Sequence, residues 1–254
     1  MSAKSSDMVT RVDRLQDLDV KSVVEGTAAR GFHIVRGLFD PMSLSACVQR
    51  IRTDVRLEDD NPSSGVAPEK LLQNFQKWSV GTRSPKDDLP RFFRIIYNPV
   101  WAEDVFGMRE HFLKLIEIRN HLTGMPAGFA KGLEGGGLYS ACRIQHYPQG
   151  GGFMGAHRDH IGEANLVGSP QTKFIQLLLV LTKPGTGFQT GGAFVIDDAG
   201  QRHYTEALAE VGDIAVYDGR TMHGVEDIDP HLPLDITTAT GRLAAFATIY
   251  KKWS

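Results

Sequence analysis

The sequence predicts a mostly β protein with flanking α-helices, and three observations point there. From Leu138 onward, short β-like runs alternate with Gly- and Pro-rich turns, the pattern of a sandwich or barrel. Ahead of that region lie amphipathic segments bounded by helix start and stop residues. The longest apolar stretch, around Ile175–Leu181, suits one buried strand and is too short to cross a bilayer.

Taken in order, residues 1–17 are polar and read as an irregular lead-in. Asp19 to Arg30 carries Val20, Val23, Val24 and Ala28 at helical spacing, with Gly31 as the stop. Phe32–Val35 reads as a short strand. Asp40-Pro41 places an N-cap before a proline at the first helical position and opens a helix to about Arg56. Leu44, Cys47, Val48 and Ile51 form its apolar stripe. Residues 58–90 are rich in Pro, Ser, Asp and Gly and predict a long irregular region, with an amphipathic patch near Leu71–Trp78. Phe92–Tyr97 predicts a strand ended by Asn98-Pro99. Trp101 to Leu122 predicts the longest helix, ended by Gly124 and Pro126. The C-terminal strands are expected over Tyr139–Tyr147, Phe174–Thr182, Ala193–Ile196, Ile214–Tyr217 and Arg242–Tyr250. No linker interrupts the chain. One domain over 1–254 is expected, with 1–137 as mainly helical support and loops and 138–254 as the β core.

The formal net charge of -2 and the lack of a Lys/Arg run give no electrostatic footprint for nucleic acid. The first residues lack the apolar segment of a secretory signal. Cys47 and Cys142 are too few for a disulfide framework; they allow one pairing or, as in cytosolic proteins, two reduced thiols. The expectation is a cytoplasmic protein acting on a small molecule, with no nucleic-acid or membrane partner. Oligomeric state leaves no signature in the chain.

The chemistry concentrates at His157-Arg158-Asp159. On a strand, side chains alternate, so His157 and Asp159 share a face while Arg158 and His160 point away. His223 follows a β-like run and a turn at Gly219, where a neighbouring strand begins. Two imidazoles and one carboxylate leave coordination positions open and suit non-haem Fe(II) enzymes that activate oxygen. His203 and His231 lie in polar, turn-rich segments; His33, His111, His121 and His146 lack a carboxylate at useful spacing and read as structural or surface residues. Arg242 opens an apolar run and, once buried, needs an anionic partner or a dense set of acceptors. That partner is either an internal carboxylate or a bound one, which its planar fork fits bidentately.

With His157, Asp159, His223 and Arg242 in place, the chain resembles the 2-oxoglutarate and Fe(II)-dependent oxygenases. Arg143–Tyr147 with Gly150-Gly151-Gly152, Gly191-Gly192-Ala193-Phe194, Gly212-Asp213 and the early Gly31–Phe39 segment support the likeness, which is clear over residues 139–250. The resemblance implies a double-stranded β-helix (jelly-roll, cupin-like) core. It implies that His157, Asp159 and His223 are catalytic iron ligands, that Arg242 binds the distal carboxylate of 2-oxoglutarate, and that Tyr147 is a further cosubstrate contact. Tyr147 also reads as a barrel aromatic with a bonded hydroxyl. The implied cofactors are Fe(II), 2-oxoglutarate and O2, with succinate and CO2 released. Asp159 favours hydroxylation or another oxidative outcome, such as desaturation, ring closure or epimerisation, over halogenation, since the related halogenases lack this carboxylate. The expected substrate is an amino acid or biosynthetic intermediate.

The alternatives are a peptidyl hydroxylase and a cupin-like metal oxygenase that uses no 2-oxoglutarate; the usual His-x-His plus Glu of cupins is not matched. Nucleic-acid demethylases of the same superfamily carry a second Arg six residues after the first, where this chain has Thr248. Gly150–Gly155 reads as an entrance or a flexible connection. Trp78, Arg83, Arg91 and Arg94 suggest a lid or anion contact, or solvated surface for each arginine.

Overall fold

A computed structural model describes residues 8–62, 66–84, 88–133, 137–159 and 168–252. His160 lies outside the described residues. The helices are α1 (Val20–Arg30), α2 (Pro41–Asp54) and α3 (Arg109–Thr123). The strands are β1 (Val9–Arg11), β2 (Phe32–Arg36), β3 (Asp60–Asn61), β4 (Phe75–Gly81), β5 (Arg91–Tyr97), β6 (Leu138–Pro148), β7 (Gly152–His157), β8 (Ile175–Val180), β9 (Gly192–Ile196), β10 (Arg202–Tyr204), β11 (Ile214–Asp218), β12 (Met222–Ile228) and β13 (Gly241–Lys251).

From β6 onward, successive strands fall alternately into two layers, apart from β9 and β10, which pair as neighbours. β6, β8, β11 and β13 share the main sheet, ordered β11-β8-β13-β6. β7, β12, β9 and β10 form the second. This is a double-stranded β-helix. The N-terminal half enlarges it: β2 pairs with β11, β1 adds to β2 in parallel, and β5 bonds both β6 and β7.

Strand alternation explains how one strand serves two cores. On β13, Leu243, Ala245 and Ala247 face α2 and α3 with Leu44, Ile51, Phe112 and Leu115. Ala244 and Phe246 face the space between the sheets with Phe32, Leu178 and Val225. Each fully buried Leu, Ile or Phe contributes about 1.5–3 kcal/mol. Cys47 and Cys142 are buried free thiols. Among the described residues no helix is long and apolar enough to cross a membrane.

Helix signals in the sequence hold at α1 and α2. Asp19 caps α1 by accepting from the Ser22 amide, and Asp40 caps α2 by accepting from Met42 and Ser43. The third helix starts later than its apolar spacing suggests. Gly107 adopts φ 72°, which breaks the helix, and the Asp104 carboxylate accepts from the Met108 and Arg109 amides at the true start. The lead-in contains β1, because Val9–Arg11 finds an edge at β2. The 58–90 stretch holds β3 and β4, since Phe75–Gly81 pairs along β5. Tertiary pairing overrode local composition at both places. Gly152–Gly155 belongs to β7 rather than to a flexible connection. Arg94 is fully buried, not solvated: it pairs with Asp60 and donates to the Ile236 and Thr238 carbonyls.

Candidate metal centre

β7 and β12 run antiparallel with His157 opposite His223, and their rings lie 4.4 Å apart. Asp159 sits just past the end of β7. Its amide donates to the Gly219 carbonyl at 2.8 Å, which folds the chain back over the turn before β12. Asp159 Oδ1 lies 3.6 Å from His157 Nε2 and 3.5 Å from His223 Nε2.

Hydrogen bonds behind the rings fix which nitrogen faces inward. His157 Nδ1 is 3.0 Å from the Gly155 carbonyl, and His223 Nδ1 is 2.8 Å from the Thr221 carbonyl. A carbonyl only accepts, so each Nδ1 carries the proton and each Nε2 offers a lone pair. Three electron-rich atoms therefore converge, an arrangement that a cation stabilises. Ligands cis about a metal at about 2.1 Å lie about 3 Å apart, close to the spacing found. Burial works against the Asp159 charge; protonated His157 and His223 outweigh it and hold the carboxyl well below its ordinary range, and a bound cation takes over that part when both rings are neutral. Among the described residues, no other three His, Cys, Asp or Glu side chains converge in this way.

The cluster opens on a cavity of about 230 Å³ between the sheets, lined also by Tyr147, Tyr217 and Arg242. Arg242 is fully buried and donates from Nε to Glu206 Oε1 at 2.7 Å. Glu206 in turn accepts from the Ala193 amide through Oε2. Nη2 lies 2.6 Å from the same Oε1, but in a direction that makes no hydrogen bond, and Nη1 has no partner. The internal carboxylate expected as one alternative is thus present, and donors remain for a second anion. The Tyr147 hydroxyl donates to Gln145 Oε1 at 3.0 Å, and its ring lies 5.1 Å under the Arg242 guanidinium. Burial pushes its phenol well above the ordinary value.

The remaining candidates fall elsewhere. Arg158 is exposed and donates to the Arg220 carbonyl. His203 pairs with Asp197 at 2.8 Å away from the cluster. His33 bonds Thr10, His111 bonds Ser43, and His146 sits between Arg94 and the Thr240 carbonyl. His121 and His231 are exposed. Arg83 bridges to Asp227 and covers the Phe153 ring, Arg91 donates to Ser79, and Trp78 stacks on Phe92. Glu206 has no signal in the sequence. Arg143 had one: counting back by twos from Tyr147 along a strand reaches it.

No protein-family profile matches the chain, and no curated protein sequence matches it. Solved structures do. A prolyl-4-hydroxylase from Pseudomonas putida is similar at 16% identity and TM-score 0.56, covering 92% of this chain and 100% of that one. An oxidoreductase of the 2OG-Fe(II) oxygenase family from Burkholderia pseudomallei matches at 10% identity and TM-score 0.53, covering 95% of each chain. SnoN, a non-haem α-ketoglutarate-dependent epimerase from nogalamycin biosynthesis, matches at 12% identity and TM-score 0.51, covering 91% of this chain and 80% of its own. The fold is that of the 2-oxoglutarate and Fe(II)-dependent oxygenases. On it, this chain carries a convergent His-x-Asp…His cluster beside a buried arginine with open donors.

Proposed function

We propose that the protein is a 2-oxoglutarate- and Fe(II)-dependent dioxygenase that hydroxylates an unactivated C–H bond of a small molecule such as an amino acid or biosynthetic intermediate. One observation carries this reading: two Nε2 lone pairs and a carboxylate oxygen converge on the cavity onto which Arg242 opens. His157, Asp159 and His223 hold Fe(II). The Arg242 fork receives the distal carboxylate of 2-oxoglutarate, and Glu206 holds that fork in place. Bound Fe(II) and 2-oxoglutarate supply the oxidising chemistry, with O2 consumed and succinate and CO2 released.

The protein's own residues supply orientation and exclusion of water. The carbonyls of Gly155 and Thr221 lock both imidazoles in the ligating tautomer. Tyr147 underlies the Arg242 guanidinium and closes that end of the cavity. Donors left open on Arg242 support 2-oxoglutarate use over a cupin-like oxygenase that needs no dicarboxylate. The buried thiols of Cys47 and Cys142 suit a cytoplasmic setting. We read the chain as one oxygenase domain.

Anaerobic titration with Fe(II) and 2-oxoglutarate tests the reading. The expected result is a weak visible metal-to-ligand charge-transfer band that saturates with cosubstrate. Folded protein that shows no band overturns it. A band with unchanged cosubstrate affinity in Arg242→Ala removes Arg242 from the site.

A further inference from the structure

We propose that Arg143 anchors a carboxylate of the primary substrate, which is therefore an anionic small molecule with an apolar body. This inference rests on the oxygenase reading above and names the substrate class for the same cavity.

Arg143 lies on β6 with its side chain on the cavity face, as do Gln145 and Tyr147 at the same alternation. It stands in register with Tyr97 on β5 and Phe246 on β13. Its guanidinium lies 5.1 Å from the Phe246 ring and 5.6 Å from the Tyr250 ring. The hydrogen bond it makes is Nη1 to the Ala141 carbonyl at 3.5 Å, the outer limit of such a contact. No carboxylate among the described residues pairs with it.

Arg36 and the three buried arginines are treated differently. Arg36 pairs with Asp213, Arg94 with Asp60 and Arg242 with Glu206. Arg119 donates to Ser140, Asn120 and the Ala247 and Phe129 carbonyls. A guanidinium has five donors, and taking it from water without partners is costly. Ring faces offset about 0.5–2 kcal/mol of that cost and accept none of the donors. None of the Arg143 nitrogens is both buried and unpartnered, so the donors that Ala141 leaves free open onto the cavity.

The cosubstrate does not account for this cation. Arg242 pairs in register with Tyr147, four residues along β6 from Arg143, or roughly 13 Å. The Arg143 guanidinium leans further off, toward Tyr250. A dicarboxylate seated on Arg242 spends its other end on the metal held by His157, Asp159 and His223, which leaves Arg143 for another anion. Arg143 and the His157–Asp159–His223 cluster line the same cavity. A substrate pinned there by its carboxylate rests its body on Phe246, Tyr217 and Ile95. Among the described residues that line the cavity, no second cation stands free once Arg242 is taken, and a single fork suits a carboxylate better than a phosphate dianion.

The test uses protein loaded anaerobically with Fe(II) and saturating 2-oxoglutarate, so that Arg242 is occupied. Phenylacetate, phenylacetamide and phenyl phosphate are titrated calorimetrically. Phenylacetate is expected to bind at least about tenfold tighter than the other two, the scale of one charge-assisted hydrogen-bonded pair. Arg143→Gln removes that preference while 2-oxoglutarate affinity, read from the charge-transfer band, stays unchanged; Arg143→Lys restores part of it. Equal binding of acid and amide overturns the proposal, as does tighter phenyl phosphate binding or undiminished phenylacetate binding to Arg143→Gln. Weakened 2-oxoglutarate binding in Arg143→Gln also overturns it by assigning Arg143 to the cosubstrate. Absence of the band in wild-type protein counts against the oxygenase reading alone, because the acid–amide difference is read from heat.

Discussion

Glu206 Oε1 accepts from Arg242 Nε at 2.7 Å, so the carboxylate grips one edge of the guanidinium and leaves Nη1 open. The pair is buried on both sides, and breaking it from either side strands a charge. Arg242→Met is expected to cost about 3–5 kcal/mol in chemical denaturation. Arg242→Met combined with Glu206→Met should recover most of that loss while leaving 2-oxoglutarate binding abolished. A double variant no more stable than the single would show that Glu206 is not the partner that matters.

Asp159→Ala removes the carboxylate between the two imidazoles. Fe(II) affinity is expected to fall at least about a hundredfold, with loss of the charge-transfer band and of hydroxylation. The rise in melting temperature that Fe(II) gives the wild type should disappear with it. Anaerobic Fe(II) titration and thermal melting check both; unchanged turnover removes Asp159 from the site.

Gly224, next to His223, sits where β12 packs tightly against β7 and β9. A Cβ there would lie 2.7 Å from the Met154 carbonyl oxygen and 2.8 Å from the Phe194 ring. Gly224→Ala must push the strands apart and part His223 from His157. Overpacking of this kind costs about 1–3 kcal/mol. The expected readout is a lower melting temperature and at least about tenfold weaker Fe(II) binding.

Acid stability should report His146, which burial pushes down to about 3 from its ordinary 6.5. The unfolded chain takes up this proton below pH 6.5 and the folded chain does not until about 3. The stability contributed by neutral His146 is therefore complete above 6.5 and is lost as pH falls toward 3. Between neutral pH and pH 5 the loss is about 2 kcal/mol. His146→Gln should flatten that slope in urea titrations at each pH; an unaltered slope would place the acid sensitivity elsewhere.

Arg94 ties β5 to Asp60 and to the carbonyls of Ile236 and Thr238. Arg94→Ala is expected to cost about 3–5 kcal/mol and to speed amide exchange in residues 229–240 more than in β13. Uniform acceleration across the chain would show a global effect instead.

Legibility in the sequence followed the range of the forces involved. Alternation along short apolar runs found β6, β8, β9, β11 and β13, and capping chemistry at Asp19 and Asp40 found α1 and α2. The same alternation brought His157, Asp159 and His223 forward, although Asp159 lies beyond the strand end and is aimed by its bond to Gly219. Elements that depend on distant partners were illegible. β1 and β4 exist because β2 and β5 offer edges. Glu206 became visible only when the fold carried it to Arg242, 36 residues away along the chain. Gly107 hid the late start of α3 behind an apolar spacing that ran straight through it.

The placement of β13 has a consequence for synthesis. It lies between β6 and β8 at the middle of the main sheet, while β2 waits for β11 across some 180 residues. As the chain leaves the ribosome, the N-terminal half cannot complete its sheet, and the cavity has no floor until Gly241–Lys251 inserts. The nascent chain thus carries unpaired strand edges until these residues have emerged, a period in which it is exposed to aggregation.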